Sequence, residues 1–110
     1  MKRTLLFVLA LAVIPVGVDA QVSDLEQTRA RAEQGDALAQ YDLGAMYSTG
    51  EGVPEVNVLA YMWSNLAAAQ GHEGAQRAKD IVEGVMTREQ IAEAQRMSRE
   101  WLEAHPPGAN

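Results

Sequence analysis

A nine-residue pattern recurs in this chain at a spacing of 36 residues. Residues 32–40 read AEQGDALAQ and residues 68–76 read AAQGHEGAQ, and the two segments agree at five of their nine positions. A period of this length is typical of solenoids in which each unit is a helix–turn–helix that cannot bury its apolar face alone. The repeat therefore predicts pairs of helices stacked against one another.

Capping residues and glycines indicate where the individual helices begin and end. A capping box at Ser23–Glu26 is expected to open the first helix, and Gly35 suits the left-handed position just past its end. A second capping box at Thr87–Gln90 opens the last helix. The predicted helices run from Ser23 to about Gln34, from Ala37 to about Ser48, from Glu55 or Asn57 to Gln70, from Glu73 to about Glu83, and from Thr87 to the prolines at 106 and 107.

Apolar residues recur on these helices at spacings of three and four, as on the buried face of an amphipathic helix. The expected faces are Leu43, Met46 and Tyr47 on the second helix; Ala60, Trp63, Leu66 and Ala67 on the third; and Ile91, Ala94, Ser98, Trp101 and Leu102 on the last. Alanines are frequent among the remaining residues and allow two helix backbones to approach closely. The sequence thus predicts an all-α fold built from antiparallel helix pairs.

Two glycines separated by one residue, Gly50 and Gly52, raise the question of a phosphate-binding loop. Such a loop follows a strand, opens a helix and carries a lysine after its last glycine. Here the pair follows a helix, encloses Glu51 and runs into Pro54, which lacks a backbone donor. We therefore interpret it as the corner between two helices and expect no nucleotide cofactor.

The first twenty residues have the pattern of a secretory signal peptide. Lys2 and Arg3 precede an apolar run, and small residues at Val18 and Ala20 predict cleavage after Ala20. The alternative is a membrane anchor, but the apolar stretch is shorter than the roughly 20 residues that a spanning helix needs. We expect a cleaved peptide, no stable membrane anchor, and a periplasmic or secreted mature chain.

Charge argues against two classes of partner for the mature chain. Residues 21–110 contain 7 basic and 14 acidic residues, a net charge of −7. Nucleic acid and anionic lipid would repel such a chain, so neither is an expected partner. The sequence has no cysteine, so disulfide bonds cannot stabilise the exported protein.

At the 36-residue unit the chain resembles the Sel1-like repeat family, which is related to the tetratricopeptide solenoids. The family's unit reads Ala-x-x-x-Leu-Gly-x-x-Tyr-x-x-Gly-x-Gly-Val, followed by Ala-x-x-Trp and a closing Ala-Ala-x-x-Gly. The matching residues are Ala39, Leu43, Gly44, Tyr47, Gly50, Gly52, Val53, Ala60, Trp63, Ala67, Ala68 and Gly71. They define one complete repeat at residues 36–71.

Outside this unit the resemblance is weaker. Lys79 and Asp80 stand where a second unit would have Leu-Gly, and Glu83 replaces its tyrosine. In the first helix Gln27 takes the place of the tryptophan. The resemblance therefore predicts a repeat domain at residues 21–105, in which degenerate half-repeats and a C-terminal capping helix flank the complete unit, and a flexible tail at 106–110.

The resemblance implies a short right-handed α-solenoid that serves as an adaptor for another protein or peptide, without catalysis. The residues themselves offer little chemistry. His72 and His105 are far apart in sequence and read as solvated side chains, so no metal site is expected. The serines do not lie in a nucleophile motif, and the pairs of acids are those that an acidic chain forms by composition alone.

Three residues of the complete repeat are candidates for protein contact. Tyr41, Tyr61 and Met62 fall off the expected core face and could lie partly exposed, or could instead contact the flanking half-repeats. Two further hypotheses remain open at this point. One is a small cell-envelope enzyme, or a binder of peptides or cell-wall fragments, that uses an acidic groove with Glu51 or Glu55. The other is self-association, because a solenoid usually needs about three repeats to be stable.

Overall fold

A computed structural model describes residues 16–50, 52, 53 and 55–106 of the chain. Within these residues the fold is all-helical, as predicted. The helices are α1 (Val16–Glu33), α2 (Ala37–Thr49), α3 (Asn57–Ala69), α4 (Glu73–Glu83) and α5 (Arg88–Ala104). No described helix is both long and apolar enough to cross a membrane.

The first helix begins earlier than the sequence predicted. α1 starts at Val16, so Ser23 lies inside the helix and is not its cap. The residues between Gly17 and Ser23 include no glycine or proline. Nothing local therefore stops the helix from extending upstream of the capping pattern. Residues 1–15 of the predicted signal peptide, and residues 107–110 of the predicted tail, lie outside the described part of the chain.

Left-handed glycines close the helices at the positions that the repeat predicts. Gly35 and Gly71 follow α1 and α3 with φ of 96° and 93°. Gly50 ends α2 with φ of 76° and donates its N–H to the Met46 carbonyl at 2.8 Å. Because L side chains are strained at positive φ, glycine is the residue that such ends favour.

The helix starts combine expected and unexpected caps. The Thr87–Gln90 capping box is confirmed, since Thr87 Oγ1 accepts from Gln90 N–H and Gln90 Oε1 accepts from Thr87 N–H. Asp36 Oδ1 accepts from the backbone N–H of Leu38 and Ala39 at the start of α2. Val56 precedes α3 and makes no side-chain cap, but its own N–H donates to the Tyr47 carbonyl of α2.

The third helix lies at the centre of the molecule. α2, α4 and α5 all pack against α3, and α1 packs against α2. Its sequence contains no charged residue, and the side chains of residues 60–64, 66 and 67 are buried. One apolar cluster joins Leu43, Trp63 and Leu66 to α1, and another joins Ala60 and Tyr61 to Val82 and Ala94. Adjacent helices stacked in this way form a short helical-repeat solenoid.

Gly44 allows α2 and α3 to approach closely. A Cβ atom at this position would lie 2.7 Å from Ser64 Oγ and 3.1 Å from the Ala60 carbonyl oxygen. Leu43, the next residue along α2, is completely buried beside this contact. The Leu-Gly pair of the repeat thus supplies one core side chain and one site of backbone contact.

The last helix follows its predicted face with one exception. Ala94 and Ser98 are buried, and Trp101 contacts Trp63 edge-to-face with the ring centroids 6.1 Å apart. Leu102 was expected on the same side but is 46% exposed. It follows Trp101, which already occupies the contact with α3, and a step of about 100° per residue turns its side chain away.

Candidate interaction surface

The three candidate contact residues differ in how deeply they are buried. Tyr61 and Met62 are only 3% and 7% exposed, so of the two alternatives for these residues the structure shows contact with the flanking helices. Met62 packs beside Trp63 in the cluster that reaches α1, and Tyr61 packs against α4 and α5, where its hydroxyl accepts from Gln95 Nε2. The flanking helices cover both side chains. Only Tyr41 remains partly exposed.

Tyr41 links α2 to α4 through an aromatic stack. Its ring lies parallel to that of His72, with centroids 4.5 Å apart. His72 Nδ1 accepts the Ala75 N–H at 3.0 Å and so caps α4. His72 was expected to be a solvated side chain. Its position 36 residues after the capping residue Asp36 was the signal for this role.

A pair of glutamines joins the ends of three helices. Gln40 is fully buried and donates its Nε2 hydrogen to the Ala32 carbonyl of α1. Gln70 Nε2, just past α3, donates to Gln40 Oε1 at 2.8 Å and to the Gly35 carbonyl at 2.9 Å. Neither glutamine was predicted to have a role, although glutamine recurs at 36-residue spacing at both positions.

The exposed sides of α2 and α4 form one surface, which we call the α2–α4 face. On α2 it consists of Leu38, Asp42, Ala45 and Thr49, and on α4 and the turn after it of Gly74, Arg77, Ile81 and Val85. Leu38, Ile81 and Val85 are 59%, 74% and 71% exposed, which makes them three of the four most exposed large apolar residues of the described chain. Exposed apolar side chains grouped on one surface are typical of a protein contact.

The helices that carry this exposed surface are held in place from several sides. Gln40 and Leu43 anchor the buried side of α2, and Ala75 and Val82 anchor that of α4. The stack of Tyr41 on His72 then ties one helix to the other. A rigid surface loses little conformational entropy when it binds.

The acidic-groove hypothesis named two glutamates beside the turn between α2 and α3. Glu55 is exposed, and Glu51 lies outside the described residues. Asp80 accepts a hydrogen bond from Gln76 on the surface of α4. Among the described residues, no group of three His, Asp or Glu side chains converges as metal ligands would.

One charged cluster lies on α5, away from the α2–α4 face. Arg96 forms ion pairs with Glu93 and Glu100, one turn before and one turn after it. The hydrogen bonds that Arg96 donates hold the pKa of the Glu93 carboxyl below its usual range, and the accepting carboxylates of Glu93 and Glu100 raise the pKa of Arg96 further. All three side chains are well exposed, so we regard the cluster as a solvated helix face.

The turn between α2 and α3 agrees with the interpretation as a helix corner. Gly50 and Gly52 adopt φ of 76° and 74°, and Val53 is half-buried beside them. The pair follows a helix, and no strand precedes it in the described chain. Its glycines therefore reverse the chain.

Comparison with known families agrees with this architecture. Residues 37–72 match the family model of the Sel1 repeat. That segment contains α2, the glycine turn, α3 and the His72 cap. No curated protein and no solved structure matches the chain significantly. The resemblance predicted from the residues is confirmed.

Proposed function

We propose that this chain, which carries a Sel1 repeat at residues 37–72, is an exported module that binds another protein and has no catalytic activity of its own. Sel1 repeats are helical modules of protein–protein interaction. The observation that carries the proposal for this chain is the α2–α4 face, where exposed apolar residues lie on helices that are fixed from behind. Export rests on the signal-peptide pattern of residues 1–20.

The chemistry of the face favours a protein over a small ligand. Its exposed apolar residues are spread over two neighbouring helices, whereas a small-molecule site usually gathers its apolar residues around one cavity. Its only charged side chains are Asp42 and Arg77, which lie on different helices. A helix or loop with an apolar stripe for Leu38, Ile81 and Val85, and with charges that pair with Asp42 and Arg77, would cover this surface.

Site-specific photo-cross-linking in the cells that produce the protein tests the binding surface. A photoreactive amino acid replaces Ala45 in the α2–α4 face, and the same amino acid replaces Arg99, an exposed residue of α5, as the control. We expect a discrete protein adduct from position 45 and none from position 99. Adducts of equal yield from both positions, or no adduct from either, would contradict the proposal.

Export is tested separately by fractionation and intact mass. We expect the protein in the periplasmic or secreted fraction, with a mass that corresponds to residues 21–110. A full-length chain recovered from the cytoplasm would overturn this half of the proposal and would leave the binding surface unaffected.

A further inference from the structure

We propose that the α2–α4 face binds a second copy of this chain, in a dimer whose two-fold axis runs parallel to α2 and α4. This inference rests on the proposed function, because it names the partner for the same surface. Each copy's α2 then faces the other copy's α4. The contacts come from the residues of the α2–α4 face, and each of them occurs twice.

Repeat equivalence fixes which residues meet. Residues 36 apart hold the same place on α2 and α4, as Asp36 and His72 show by capping the two helices. Rotation about a two-fold axis parallel to the helices leaves the position of each residue along the axis unchanged. It places α4 of one copy opposite α2 of the other. Residues of α2 therefore meet residues at about the same height on α4 of the other copy: those that point straight out of the face meet their own equivalents, and those at its edges meet a residue one position away.

The sizes of the equivalent residues are complementary. Ala45 meets Ile81, so a small side chain faces a large one, and Leu38 meets half-buried Gly74 beside the rings of Tyr41 and His72. Thr49 meets Val85 at the end of the face. Exposed Leu38, Ile81 and Val85 are thereby covered in one step, and large-to-small contacts allow the helices to approach closely.

The charges of the face are complementary under the same operation. The Tyr41–His72 stack shows which side of α2 points at α4. Asp42, rotated by about 100° from Tyr41, lies toward the other edge of the face. Arg77 is the equivalent of Tyr41, so on α4 it points away from α2.

Asp42 and Arg77 thus lie on opposite edges of one molecule. Both are exposed, and within the described residues neither forms an ion pair. The two-fold axis brings Asp42 of each copy to Arg77 of the other. Although the mature chain has a net charge of −7, this face carries one acid and one base and is neutral, so two copies can meet here without local repulsion.

The first test measures mass against concentration by sedimentation equilibrium. We expect the purified protein to form a dimer that Ile81→Asp weakens by at least about tenfold, because the variant places a carboxylate in the apolar contact. The matched control is Leu102→Asp, which changes an exposed apolar residue of α5 outside the face and should leave the dimer intact. Circular dichroism verifies that both variants are folded.

The second test exchanges the charges between copies. Asp42→Arg alone and Arg77→Asp alone should each be monomeric, since each places like charges opposite one another in both contacts. An equimolar mixture of the two variants should form a heterodimer, because each of its two contacts then joins an acid to a base, one in the wild-type orientation and one with the charges exchanged. A wild-type dimer together with this rescue identifies the 42–77 contact, because an arrangement that paired residue 42 with residue 42 would place like charges opposite one another in the wild type.

Three results would overturn the dimer. They are a wild-type protein that stays monomeric at all concentrations, an Ile81→Asp variant that dimerises like the wild type, and a mixture that forms no heterodimer. A monomeric protein that still cross-links through position 45 to a different chain would contradict this inference and would support the proposed function. The two failures are therefore distinguishable.

Discussion

The junction of α1, α2 and α3 and the junction of α3, α4 and α5 are built on the same 36-residue spacing but are closed differently. In the first junction Gln40 is buried and holds both Ala32 and Gln70. In the second, Gln76 occupies the equivalent place on α4, yet its side chain is exposed and bonds only to Asp80 of its own helix. No glutamine follows α5 to complete the arrangement.

The residues at the Leu-Gly positions are likewise buried in the first junction and more exposed in the second. Leu43 and Gly44 are buried against α3, whereas their equivalents Lys79 and Asp80 are half-buried and exposed. Ala39 and Ala75, by contrast, are buried in both junctions. The second junction thus keeps the small packing residue, alanine, of the first. It lacks the Leu-Gly pair, which in the first junction packs against the following helix.

The largest expected effect is the removal of a tryptophan from the cluster that joins α1 to α3, in which Trp63 is buried and Trp101 of α5 packs at the edge. Trp63→Ala is expected to cost about 3–5 kcal/mol of unfolding free energy, because it empties the centre of the cluster that joins α1 to α3. Trp101→Ala should cost about 1–2 kcal/mol, because the Trp101 side chain on α5 is only half-buried. Urea denaturation measures both. Equal losses would show that α5 is as deeply integrated as the complete repeat.

The Gly44 contact gives the next largest expected effect. Gly44→Ala should destabilise by about 1–3 kcal/mol, because the new Cβ would overlap Ser64 Oγ and approach the Ala60 carbonyl. Asp80→Ala, at the equivalent place on α4, should change stability by less than about 0.5 kcal/mol. Thermal melting of the two variants tests whether close helix approach is restricted to the first junction. A stable Gly44→Ala protein would contradict that view.

The glutamine pair provides the third comparison. Gln40→Ala is expected to cost about 1–3 kcal/mol, because it removes the partner of the Ala32 carbonyl and one acceptor of Gln70 at a buried site. Gln76→Ala removes an exposed hydrogen bond within α4 and should have an effect below about 0.5 kcal/mol. Chemical denaturation measures both losses of unfolding free energy. A larger loss for Gln76→Ala than for Gln40→Ala would refute the contrast between the junctions.

The turn between α2 and α3 and the turn between α4 and α5 should respond differently to glycine replacement. Gly50→Val and Gly52→Val force side chains into the left-handed region and should each cost about 1–2 kcal/mol or more. Gly84, which ends α4, has φ of −62°, so Gly84→Ala should be tolerated. Either Gly50→Val or Gly52→Val folding with unchanged stability, but losing a specific ligand, would be incompatible with a structural corner.

The smallest predicted effect is the pH dependence that α5 contributes. The pKa of Glu93 is lowered in the folded protein, so its contribution is complete above the unfolded-state pKa of about 4.3 and is lost as the pH falls through the folded-state value. Arg96→Ala removes that contribution, so it should flatten the acid limb of the stability curve slightly. Arg99→Ala is the matched control and should leave the curve unchanged.

Local signals in the sequence predicted most of the fold. The recurrence of Gln-Gly at residues 34–35 and 70–71 located two helix ends, and Thr87–Gln90 located the start of α5. These features succeed because a cap or a left-handed glycine depends on a few neighbouring residues. The prediction for α1 was wrong because a capping pattern can also occur inside a helix that nothing interrupts.

The candidate surface was less predictable, because burial depends on which helices cover a residue. Tyr61 and Met62 looked exposed on the pattern of one helix pair, but α3 is enclosed by α2, α4 and α5 and therefore has almost no free side. Ile81 and Val85 drew no attention in the sequence. Their exposure arises because no further helix of the described chain packs on that side of α4.

The sequence by itself determined the repeat, the helix ends at left-handed glycines, the cap of α5 and the acidic charge of the chain. These are properties of residue type and spacing, and they hold wherever the helices lie. Only the tertiary structure decided that α3 is central, that Gln40 and Gln70 close the first junction, and that Leu38, Ile81 and Val85 share one face. Those outcomes depend on the relative placement of separate helices, which follows from the sum of many weak contacts between residues distant in the chain.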